Sequence, residues 1–106
     1  MFEFKPEFSD GIVTYTAVED GIVSGNCSVK ISGIYAILLS VECEDVLLQE
    51  GLLRSALNFA ANRGAFVADI PADKLCPGAE RLGFTANKTE REIPDVLTGS
   101  CCSCKK

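Results

Sequence analysis

The chain has 106 residues, with 10 Lys+Arg, 15 Asp+Glu, six Cys and no His. That length sets one domain as the expectation, and 47% hydrophobic with 24% charged residues is globular rather than disordered composition. Without His there is no Ser-His-Asp triad, no Cys-His dyad and no His-ligated metal, and a net charge of −5 argues against nucleic acid as a partner, because phosphates call for a basic surface.

The first residues carry Glu3, Lys5, Glu7 and Asp10 and lack the basic-then-apolar pattern of a signal peptide. No apolar run approaches the ~18 residues that a membrane span needs. The longest strongly apolar segment, Ile34 to Val41, is strand-sized. The expectation is a cytoplasmic protein with no membrane partner and with reduced thiols. Its Cys are then core filler, metal ligands or reactive groups.

Gly11 to Val18 alternates Val13, Tyr15 and Ala17 with Ile12, Thr14 and Thr16, and this β-branched run predicts a strand. Asp20-Gly21 is a hairpin signal. Ile22 to Ile31 predicts a second strand, with a bulge at Gly25. After Ser32-Gly33, the nearly continuous apolar run to Val41 predicts a third strand covered on both faces. Asp45 is placed as an N-cap. From Val46 to Arg63, Leu48, Leu52, Leu53, Ala56, Leu57 and Ala60 mark one buried helical face, which ends at Gly64. Ala65 to Ile70 predicts a short buried strand stopped by Pro71. A short helix is expected from about Pro77 to Leu82, and Phe84 to Lys88 predicts a last strand. The expected fold is α+β, a mixed and mostly antiparallel sheet with one long and one short helix. Residues 1–90 form the domain in this reading, and 91–106 a charged, then Cys-rich tail.

The order of meander, long helix, short strand, short helix and Leu82-Gly83-Phe84 resembles the GNAT superfamily of acyl-CoA N-acyltransferases. Gly51 to Ala65 is similar to that family's cofactor-binding helix, and Pro77 to Phe84 to the stretch that ends its last core helix at Leu-Gly-Phe. The resemblance covers Gly11 to Phe84 and implies a minimal, truncated GNAT-like domain. It implies acetyl-CoA or another acyl-CoA as ligand, held near Gln49, Gly51, Leu52, Leu53 and Arg54, and a small-molecule or protein amine as acceptor. Three positions depart from the family pattern. The Gln or Arg of the phosphate loop falls on Leu48, with Gln49 one place late, its second small residue is Leu53, and the position of the family's Tyr acid is Ala79. Glu42 and Glu44, after the third predicted strand, are candidate bases for the amine or parts of a solvated acidic turn. Cys76 is a candidate acyl carrier or proton donor in place of the Tyr. An uncovered edge of so small a sheet makes a homodimer an expectation.

Cys27 and Cys43 read as small buried or half-buried hydrophobic residues of the sheet rather than ligands. Cys101, Cys102 and Cys104 cluster beside Lys105-Lys106, and Cys101 and Cys104 form a C-x-x-C. With Cys76 as a fourth ligand, this set is a candidate Zn or Fe site. Thiol redox chemistry and incidental Cys are the other readings. The alternative function is thus a non-enzymatic domain whose tail binds a metal or a partner.

Overall fold

The computed structural model describes residues 3–102, with side chains through Leu97. One sheet runs in chain order through β1 (Glu3–Ser9), β2 (Ile12–Glu19), β3 (Ile22–Ser32), β4 (Tyr35–Cys43), β5 (Val67–Asp69) and β6 (Glu90–Glu92). Only the β4–β5 pair is parallel; the other neighbours are antiparallel. The helices are α1 (Val46–Ala61), α2 (Pro77–Arg81) and α3 (Ile93–Cys102), with a 3-10 turn at Ala72–Lys74. The architecture is the expected α+β mixed sheet with one long helix.

Two Asp-Gly pairs close the first hairpins. Asp10 and Gly11 have φ of 54° and 78°, and Asp20 and Gly21 have 55° and 82°. Positive φ at both central residues is what a two-residue hairpin with native twist requires. The sequence signal at Asp10-Gly11 thus marks a strand before it, β1, which composition did not predict. The bulge expected at Gly25 is present one residue earlier. Ala17 pairs with Gly25 but Val18 with Val23, so Ser24 is the extra residue.

α1 starts where its cap was expected. The Asp45 carboxylate accepts from the Leu47 and Leu48 N–H groups. Leu52, Leu53, Ala56, Leu57 and Ala60 bury fully against Val13, Ala17, Val29 and Leu38 of the sheet. Each large side chain among them contributes about 2 kcal/mol by leaving water. Gly64, with φ of 103°, turns the chain out of the helix towards β5.

Three expectations need correction. β4 is not covered on both faces: Ala36 and Leu38 are buried, whereas Ile37 and Leu39 are half-buried. The opposite face carries Thr14, Thr16 and Ser28 at half-exposed positions, and the Thr14 and Ser28 hydroxyls hydrogen-bond across the strands at 2.9 Å. Second, Phe84 to Lys88 is not a strand but a turn closed by one bridge, Thr85 to Lys88. Third, the segment from residue 91 does not begin a tail. Arg91 pairs with Ala68 in β6, and Ile93 and Val96 of α3 are 0% and 1% exposed in the core. The charges of Glu90, Arg91 and Glu92 masked a short edge strand.

The edges of the sheet bear on self-association. β1 carries Pro6 mid-strand among Glu3, Lys5 and Glu7, and β6 is a three-residue strand, Glu-Arg-Glu. Proline, charge and shortness are devices that discourage strand addition. The edge-pairing argument for a homodimer therefore finds no support in the two edge strands.

Candidate functional site

β4 and β5 run together only from Tyr35 to Ile37. β4 continues to Cys43, still paired with β3 on its other side, while the chain after β5 turns away at Pro71 into the 3-10 turn. The strands thus splay into a notch, a cavity of about 310 Å³ lined by Ser40, Val41, Glu42, Asp73, Lys74, Leu75 and Cys76. A register shift lies beside it. Ser28 pairs with Ser40 but Val29 with Leu38, so Leu39 is a bulged residue just before the open stretch. Among the described residues, the outer edge of β4 from Leu38 onward has no neighbouring strand. On that side no strand ladder claims its backbone, and the Cys43 carbonyl accepts from the Gln49 side chain.

The notch brings two predicted catalytic residues together. Glu42 extends from the end of β4 as an exposed carboxylate, and Cys76 lines the opposite wall, half-buried, just before α2. Glu44 is not in the notch. It lines a second cavity of about 580 Å³ with Ser24, Glu42, Cys43, Asp45 and Leu48 at the start of α1. Glu42 belongs to both. Ala79, at the family's Tyr position, is fully buried and brings no polar group.

The residues expected to hold a cofactor sit elsewhere. Gly51 is not in a strand-to-helix turn but in the second turn of α1, where an added Cβ would come within 2.9 Å of the Phe4 ring. Leu52 and Leu53, at 0% and 1% exposure, are core residues. Arg54 is committed to the protein itself: it donates to the Leu97 carbonyl at 3.1 Å and pairs with Glu50 at 3.3 Å, tying α3 to α1. Glu50 also meets Arg81 of α2 at 2.8 Å. The two guanidinium groups outweigh partial burial and hold its carboxyl below the usual range.

Gln49 has the role that sequence reasoning missed. It is 7% exposed. Its Nε2 donates to the Cys43 carbonyl at 2.7 Å, and its Oε1 accepts from the Gly78 N–H at 2.8 Å. One side chain therefore joins both walls of the notch, next to Glu42 on one side and Cys76 on the other. It also caps α2, whose own N-cap residue, Cys76, makes no side-chain cap. A Cys before Pro77, where Ser or Asp would be favoured, was the one sequence hint that the cap comes from another element. Nothing in the sequence singled out Ser40 or Lys74 as notch residues.

Cys27 and Cys43 sit in the sheet as expected. Cys27 is fully buried in the core, and burial, reinforced by Cys76 nearby, pushes its thiol up to about 12. Cys43 is half-buried and presses on Gly25, where a Cβ would come within 2.7 Å of its own. Among the described residues no group of three Cys, Asp or Glu side chains could hold a metal. The tail site falls outside this statement. Cys104 lies beyond the described residues, and Cys101 and Cys102 are described only as backbone positions of α3.

Known proteins resolve the architecture. No protein-family model and no curated protein matches the sequence. Among solved structures, the chain is similar to a probable acetyltransferase from Staphylococcus epidermidis, with TM-score 0.53 and 19% identity over 57% of this chain and 42% of that one. It is also similar to the aminoglycoside 6'-N-acetyltransferase from Enterococcus faecium, with TM-score 0.54 and 16% identity over 59% of this chain and 39% of that one. The fold is GNAT-like. The chain spans about two-fifths of the length of each of these acetyltransferases. Among its described residues, no helix of this GNAT-like domain is long and apolar enough to cross a membrane.

An acyl-CoA ligand has two parts to fit. The amide-bearing arm and thioester suit a cleft with an open strand edge, and the splay of β4 from β5 supplies one. The pyrophosphate calls for free N–H groups or cations. The start of α1 offers neither in quantity: Asp45 occupies the N–H groups of Leu47 and Leu48, and Glu42, Glu44 and Asp45 surround the opening.

Proposed function

We propose that this domain transfers an acyl group from a thioester to a primary amine in the notch between β4 and the Ala72–Cys76 segment. The observation that carries the reading is the open β4 edge inside a concave site, in a fold whose solved neighbours are acetyltransferases. The β4 edge at Ser40 to Glu42 aligns the donor arm by backbone hydrogen bonds, so the thioester carbonyl is held between the walls. Glu42 takes the proton of the incoming ammonium. The amine nitrogen attacks the carbonyl carbon, the carbon–sulfur bond breaks, the leaving sulfur takes a proton from Cys76, the nearest counterpart of the absent Tyr, and the nitrogen's surplus proton restores the Cys76 thiol, while Glu42 returns its proton to solvent. Glu44, outside the notch, has no step. Acyl-CoA is the proposed donor class and a small-molecule or protein amine the acceptor class.

Acetyl-CoA at ten times its Kd stabilises the folded chain by about 1.4 kcal/mol. A rise of several degrees in Tm is the expected result for a domain of this size. Acetylation of a panel of amines, followed by mass spectrometry, then reads the reaction. Glu42→Gln lowers kcat by about 100-fold, and Cys76→Ser lowers it less, because a hydroxyl still donates. The absence of a Tm change at millimolar acetyl-CoA and S-acetylpantetheine sinks the reading.

A further inference from the structure

We infer that the domain recognises an acyl-pantetheine thioester by its arm and keeps the nucleotide pyrophosphate of a coenzyme A donor out of the start of α1. This rests on the notch being the acyl-transfer site. A helix start that holds phosphate presents its first-turn N–H groups to the anion, and the helix dipole adds positive potential. At the start of α1 the N–H groups of Leu47 and Leu48 are spent. The Asp45 carboxylate accepts from Leu47 at 2.9 Å and Leu48 at 3.2 Å, and the Gln49 N–H bonds the Asp45 carbonyl at 2.9 Å.

The charge has the wrong sign for phosphate. The cavity of about 580 Å³ at this helix start is lined by three carboxylates, Glu42, Glu44 and Asp45, and, among the described residues, by no Lys or Arg. The nearby guanidinium groups of Arg54 and Arg81 are engaged by Glu50. Further along α1 the backbone is closed by packing, with Phe4 over Gly51 and with Leu52 and Leu53 in the core. The notch holds Glu42 and Asp73 beside Lys74, so it offers phosphate no net positive charge either, but the uncharged thioester arm needs only the β4 edge. Donor affinity therefore resides in the thioester arm. The nucleotide of a coenzyme A donor lies away from α1 and adds nothing to binding.

Calorimetric titration of the full chain with acetyl-CoA, S-acetylpantetheine and adenosine 3',5'-bisphosphate tests this. The two thioesters should bind within about threefold of each other, and the bisphosphate should not bind at millimolar concentration. Raising salt from 20 to 300 mM should tighten acetyl-CoA binding by screening the repulsion, the opposite of a phosphate-gripping site. Asp45→Asn keeps an N-cap and removes one charge, so it should strengthen acetyl-CoA binding about threefold and leave S-acetylpantetheine unchanged. Acetyl-CoA binding 30-fold tighter than S-acetylpantetheine, or weakening with salt, overturns the inference and leaves the acyl-transfer reading standing. Binding of neither thioester removes both.

Discussion

The side-chain oxygen of Gln49 on α1 accepts the backbone N–H of Gly78 on α2 at 2.8 Å, and the two residues are in direct van der Waals contact. A Cβ added at Gly78 would overlap that of Gln49. The helix that follows Cys76 is thus seated on one buried amide. That amide also holds the end of β4 through the Cys43 carbonyl. The width of the notch follows from this contact.

Gln49→Leu keeps the volume but strands a buried N–H and a part-buried carbonyl. Each unpaired group costs about 1–3 kcal/mol, so chemical denaturation should show a loss of about 2–4 kcal/mol. Well below its Tm, the variant should alkylate at Cys76 at least tenfold faster than wild type, as read by peptide mass spectrometry. An unchanged Cys76 rate would show that Gln49 supports stability without setting the notch. Gly78→Ala should cost about 1–3 kcal/mol by overpacking.

At the other wall, Gly25 makes room for Cys43. An added Cβ would lie 2.7 Å from Cys43 Cβ and 2.8 Å from its Sγ. Gly25→Ala is expected to destabilise by about 1–3 kcal/mol. Cys43→Gly in the same chain should relieve the clash, so the double variant should lose about 1 kcal/mol less than the two single losses together. Strict additivity in the denaturation midpoints contradicts the contact.

Glu50 gives the domain a defined acid response. Arg81 and Arg54 hold its carboxyl below the ordinary value. A depressed folded pKa contributes stability that is present above the unfolded pKa and lost as pH falls through the folded one. The Arg81 end is half-exposed, at 54% against 17% for Glu50, so the contribution is about 1 kcal/mol. Glu50→Gln should be less stable than wild type by that amount at pH 7. The two stability curves should converge at acid pH, where the carboxyl is protonated in both states. A constant gap across the pH range refutes the ion-pair account.

Cys27 predicts the opposite arm of the pH profile. Its thiol is pushed up to about 12 in the fold, against about 8.5 in an unfolded chain. Below the unfolded value both states are protonated and nothing is gained or lost. As pH rises above it, only the unfolded chain ionises, so stability falls. Cys27→Ala should flatten this alkaline decline. Native alkylation at pH 8 should label the half-buried Cys43 and Cys76 and spare Cys27. Labelling of Cys27 at a similar rate would mean that the core opens.

The sequence by itself determined the elements whose signals are local. Asp-Gly at residues 20 and 21 announced a hairpin. Gly25 marked the neighbourhood of a bulge, Asp45 began α1, and the Leu and Ala spacing named its buried face. These hold because caps, turns and helical periodicity act within a few residues. β1 and β6 were not legible. Glu3–Ser9 contains Pro6 and three charges, and Glu90–Glu92 is all charged; only pairing with β2 and β5 makes either a strand.

The site was legible in part. Glu42 and Cys76 were named from their position in a family pattern, and the splay of β4 from β5 puts them in one notch. Tertiary structure alone decided the rest. Gly51, which the family resemblance set among phosphate-binding residues, is closed off by Phe4 in the second turn of α1, while Leu52 and Leu53 pack in the core as the helical spacing predicted. Gln49 becomes the strut of the notch because two residues far from it in the chain, Cys43 on one side and Gly78 on the other, offer a carbonyl and an N–H to one amide. The described Cys side chains separate by environment, with Cys27 sealed in the core and Cys76 facing a cavity. Residue type by itself does not carry that difference, since burial and neighbouring charge set the chemistry of a thiol.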